Sequence, residues 1–72
     1  MLDELKVAWD AEAKVVHCAC AGDAEGAAAA STVAAKAWTA AAAAEEFPGR
    51  AWWCTRKAEI ATKSAALWAA RA

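Results

Sequence analysis

The sequence predicts an all-α protein, an antiparallel three-helix bundle in up-down-up order with alanine-rich seams. Three observations lead there. Alanine supplies most of a 61% hydrophobic composition, and alanine is the strongest intrinsic helix former. Apolar residues recur at spacings of three and four, the period of a helix face. The chain is interrupted at only two places, Gly22-Asp23 and Phe47-Pro48-Gly49, and connections this short make successive helices antiparallel neighbours.

The first helix is expected over about residues 4–21. Asp3 is placed to act as its N-cap, and Leu2 to staple against Val7 one turn inside. Leu2, Leu5, Trp9, Ala13, Val16 and Cys20 form its apolar stripe, while Lys6, Asp10, Lys14 and His17 share the polar face. The Lys6-Asp10-Lys14 series has i,i+4 spacing, worth only a few tenths of a kcal/mol per pair, so this face reads as solvated surface. Gly22 suits the helix end and Asp23 can cap the next.

The second helix is expected over about residues 24–46. Its seam reads Gly26, Ala30, Val33, Ala37, Ala40, Ala44, Phe47, an alternation of four and three that matches a coiled-coil repeat. Trp38 falls off that seam. Proline with a glycine after it ends the helix. The third helix, expected over about residues 50–71, carries Cys54, Ala58, Ala61, Ala65 and Trp68 on one stripe and Trp53, Ile60 and Leu67, seven apart, on a second. Two stripes suit a helix that touches two neighbours. At 1.5 Å per residue the helices are about 27 to 35 Å long, so their lengths match.

At 72 residues the chain is a single helical domain, residues 1–72. Domains this small bury little apolar area, and alanine adds less than any larger side chain. Charge is polarised. Residues 1–48 carry eight acids against Lys6, Lys14 and Lys36, whereas residues 49–72 carry Arg50, Arg56, Lys57, Lys63 and Arg71 against Glu59. A basic helix docked on acidic ones accounts for this better than a nucleic-acid surface, which concentrates more positive charge. The net charge is −1. MLDELK is acidic and has no apolar core, so the reading is cytoplasmic with reduced thiols. Residues 27–44 are long and apolar, but alanine drives insertion weakly and Lys36 opposes it, so no membrane role is expected.

Chemistry-bearing patterns are few. His17, Cys18 and Cys20, with Cys54 as a possible fourth donor, have the composition of a zinc site. Their spacing opposes it, because Cys18 and Cys20 diverge by about 200° on a helix. Cys54 falls near the other end of the bundle, too far to share an ion or a disulfide with Cys18 or Cys20. His17 beside Cys18 does not make a thiol–imidazole pair, since adjacent helical residues face apart. No Cys-x-x-Cys-His sequence attaches a haem, and no glycine-rich loop cradles phosphate. Thr32, Thr39, Thr55 and Thr62 do not form one long row of the kind an ice-binding face needs.

The remaining signal is aromatic. Five tryptophans stand beside one phenylalanine and no tyrosine, and indoles are enriched both in cores and at interfaces. Trp38 and Trp52, off the seams, are the expected interaction surface. The sequence therefore reads as a small non-enzymatic helical protein acting through association, with itself or with another helical protein, and with no cofactor. A metal- or cofactor-binding bundle using His17, Cys18 and Cys20 is the alternative.

Overall fold

The computed structural model describes residues 2–72, with the Leu2 side chain outside the description. The expected Leu2–Val7 staple therefore lies outside the described residues. Three helices follow in order, α1 (Leu2–Cys20), α2 (Ala24–Ala44) and α3 (Pro48–Arg71), packed as an antiparallel bundle with no strand among the described residues. None of the helices is long and apolar enough to cross a membrane.

The connections follow the chemistry of their residues. Gly22 takes φ +75°, the left-handed conformation that costs a side chain-bearing residue about 1 kcal/mol. The Asp23 amide donates back to the Cys18 carbonyl at 2.8 Å, and its carboxylate accepts from the Gly26 amide at 2.8 Å, capping α2. Gly26 is needed here because a Cβ would collide with the capping carboxylate and crowd Cys18 Sγ. At the second connection α2 ends two residues before its expected limit. The Glu45 carboxylate accepts from the amides of Glu46 and Phe47. Pro48 opens α3 instead of only closing α2, since its fixed φ and missing amide suit the first helical position. Asp3 is not an N-cap: the helix already runs at Leu2, and Asp3 sits with Glu4 in the first turn, where a carboxylate complements the helix dipole.

The core is made almost wholly of small side chains. Ala8, Ala11, Ala34, Ala37, Ala41, Cys54, Ala58 and Ala61 surround Trp38, the largest fully buried residue. Alanine faces let α2 approach both neighbours closely. Across α1 and α3, by contrast, no two Cα atoms come within 8 Å. The molecule is accordingly an arch with α2 at its crown, its Cα atoms spanning 38 × 19 × 13 Å.

Two of the three expected seams are displaced. In α2 the buried line is Ala27, Ala30, Ser31, Ala34, Ala37, Trp38, Ala41, rotated toward Trp38 and away from Val33, Ala40, Ala44 and Phe47, which are exposed. Alanines fit either phase, and burying one indole outweighs burying a valine. In α1 the buried line is Ala8, Ala11, Cys18, beside the expected stripe. Only α3 keeps its predicted phase, with Cys54, Ala58 and Ala61 buried and Ala65 and Trp68 half-buried.

Candidate functional site

The displaced stripe of α1 and the second stripe of α3 have a common destination. Trp9 and Val16 on α1, and Trp53 and Ile60 on α3, border the gap between the two helices, and Leu67 follows seven residues after Ile60 on the same α3 stripe. Val16, Ile60 and Leu67 remain 63%, 56% and 64% exposed. Between them lies a cleft floored by Ser31 and Ala34 of α2 and walled by Val15, Val16, Ile60 and Ala61. Ser31, itself buried, has its hydroxyl 3.1 Å from that of Ser64, which satisfies both on the cleft floor.

One end of this cleft is closed by side chains alone. Trp38 meets Trp9 and Trp53 edge to face, with ring centroids 5.2 Å away in each case, and Trp9 and Trp53 are 6.0 Å apart. The Lys57 ammonium lies over all three indoles, 5.3 to 5.9 Å from their centroids. Glu12 completes the group. One of its carboxylate oxygens accepts from Trp38 Nε1 at 2.7 Å, and the other accepts from Lys57 Nζ at 2.9 Å. The negative faces of three rings and one carboxylate thus hold a single ammonium. The arrangement spends the cation–π capacity of the cage on a residue of the chain itself, and ties α1 to α3 where their backbones do not touch.

The expected site residues are scattered by this architecture. Trp38 is fully buried (0% exposed), so it is a core residue and not an interaction surface. The reason is that α2 must face two neighbours, which widens its buried face past the single seam read from the sequence. Trp52 stands 65% exposed, outside the cleft wall and next in sequence to Trp53. Cys18 is buried while Cys20 and His17 are exposed, and all three cysteines are free thiols. Among the described residues no three His, Cys, Asp or Glu side chains gather as a cation site. Burial pushes the Cys54 thiol up from its ordinary value, with a smaller contribution from the charge of Glu45.

Glu12 and Lys57 were not legible as a pair. They are 45 positions apart, and each reads locally as an ordinary surface charge. The seven-residue spacing of Trp53, Ile60 and Leu67 was a signal for the cleft wall, but not for which wall it would be. A second groove lies on the far side of α1, where Val7, Ala11, Cys18, Ala30 and Val33 border α2. The threonines add no polar row: Thr32, Thr39, Thr55 and Thr62 each donate to the carbonyl four residues back on their own helix. Fold and cleft define a small open helical bundle with an unfilled apolar face. Neither a family model nor a curated protein nor a solved structure matches the chain.

Proposed function

We propose that the chain is a non-enzymatic association module that receives an apolar helical surface in the cleft between α1 and α3. One observation carries this reading. The two walls present large apolar residues at helical repeat spacing, Trp9 and Val16 opposite Trp53 and Ile60, and Val16, Ile60 and the next residue of the α3 stripe, Leu67, are more than half exposed. Fully covering an aliphatic side chain of this size contributes about 1.5 to 3 kcal/mol, and a core of alanines leaves the isolated chain short of that kind of burial. A further helix laid along the cleft would complete the bundle by the same packing that joins α2 to its neighbours. Trp52 and the basic side chains of α3 would lie at the rim of such a contact.

The test is position-specific photo-crosslinking in the cells that make the protein. A photoactivatable phenylalanine at Ile60, in the cleft, should give protein adducts of defined mass. The same group at Lys36, exposed on the outer side of α2, should not. Equal labelling from both positions, or none from Ile60, would remove the cleft as an association surface.

A further inference from the structure

Building on the association reading, we infer that the occupant of the cleft is a second copy of this chain, in a parallel twofold dimer that sets α1 of each copy against α3 of the other. The walls are in register with one another. Trp9 is level with Trp53, Glu12 is joined to Lys57 at 2.9 Å, and Val16 and Ile60 border the same cavity one to two turns further on. α1 and α3 therefore run in the same direction at the same heights. A twofold axis along the bundle lays one open face on another with indoles meeting indoles and Val16 meeting Ile60.

Charge selects this axis over the alternative. Glu12 and Lys57 neutralise one another within the chain; the other charges of α1 are Asp3, Glu4 and Asp10 against Lys6 and Lys14, and those of α3 are Arg50, Arg56, Lys63 and Arg71 against Glu59. An axis across the bundle would stack α3 on α3 and α1 on α1, bringing like charges together. The axis along the bundle stacks the acidic helix on the basic one, twice. Size agrees as well. The two longest extents of the molecule, 38 by 19 Å between Cα atoms, give a footprint of roughly 700 Å² in projection, so a contact that covers the whole open side approaches the ~800 Å² that each partner contributes to a stable interface of standard size. An isologous pair of this kind also closes on itself, leaving no cleft exposed.

Sedimentation equilibrium of the full chain, from micromolar to millimolar, should give twice the 7.4 kDa chain mass at the upper end. Ile60→Glu should return the mass to that of one chain while the far-ultraviolet circular dichroism stays helical, because Ile60 is exposed in the single chain. The geometry has its own test. Cys20 is exposed on the cleft stripe of α1, within one turn of the height of Leu67 on α3 by the register that pairs Trp9 with Trp53 and Glu12 with Lys57. A bridge within one chain is barred because no Cα atoms of α1 and α3 approach within 8 Å, and a disulfide needs about 7 Å or less. Oxidised Leu67→Cys protein should therefore yield a covalent dimer whose peptide map joins Cys20 of one copy to the introduced thiol of the other. A wild-type chain that is monomeric at millimolar concentration overturns the inference, and so does a dimer whose Cys20 links only to Cys20. If Ile60 crosslinks in cells solely to a different protein, the association reading stands and the second copy is excluded.

Discussion

Trp38 fills the centre of an otherwise alanine core, and no other large apolar side chain is fully buried among the described residues. Trp38→Ala should cost about 3 to 5 kcal/mol in chemical denaturation, enough to unfold most of a domain this small. Trp38→Phe keeps a ring but removes the indole N–H from Glu12, and should cost about 1 to 2 kcal/mol. Equal stability of wild type and Trp38→Ala would mean the indole is not in the core. The thiols differ in the same residue-level terms. Cys20, which is exposed, should react with a thiol reagent in the folded protein, while Cys18 and Cys54, both buried, react only on unfolding. Cys54 also links stability to pH. Its folded pKa is raised, so its contribution is complete below the ordinary thiol value of 9.0 and is lost as pH rises through the higher folded value. Wild type should lose more stability between pH 8 and 10.5 than Cys54→Ala, as measured by urea midpoints.

Each helix is defined by its ends more sharply than by its middle. Asp23 supplies a side-chain cap to α2, and Asp23→Ala should lower stability by about 1 kcal/mol in thermal melts. A long run of alanine leaves the rotational phase of α2 open, and one indole decides it. The contact between α1 and α3 is a matter of side chains, so it can be weighed by a double-mutant cycle. Glu12→Gln with Lys57→Met should show a coupling of about 1 kcal/mol, since the ammonium and carboxylate are 22% and 31% exposed rather than fully solvated. Additive effects would show that the pair does not hold the two helices together. The exposed Lys6–Asp10 and Arg56–Glu59 pairs should each be near neutral on removal.

The whole molecule is a bundle left open on one side. Packing alanine faces brings backbones close but removes little area from water, which is why so many large side chains stay on the surface. Any partner that binds only the folded chain adds stability by mass action. If that partner is a second copy, the thermal midpoint should rise as protein concentration rises from 5 to 500 µM, and the rise should vanish in Ile60→Glu. A midpoint independent of concentration in wild type would place the stability within the single chain.

Three helices, their turns and their antiparallel order were legible along the chain, because propensity, capping and glycine or proline punctuation act locally. The sequence also marked Cys54, Ala58 and Ala61 as core, since α3 has one stripe of small residues flanked by a distinct stripe of large ones. It could not set the phase of α1 or α2. With alanine on every side, several faces are equally able to pack, and the choice falls to distant partners such as Glu12 and Lys57, which no local pattern connects. Tertiary structure alone decided that Trp38 goes inside and that the stripes of α1 and α3 face each other across a gap. The physical reason is the size of the side chains: alanine draws α2 tight against both neighbours, whereas α1 and α3 meet only through long side chains, three indoles and an ion pair, with no Cα atoms within 8 Å.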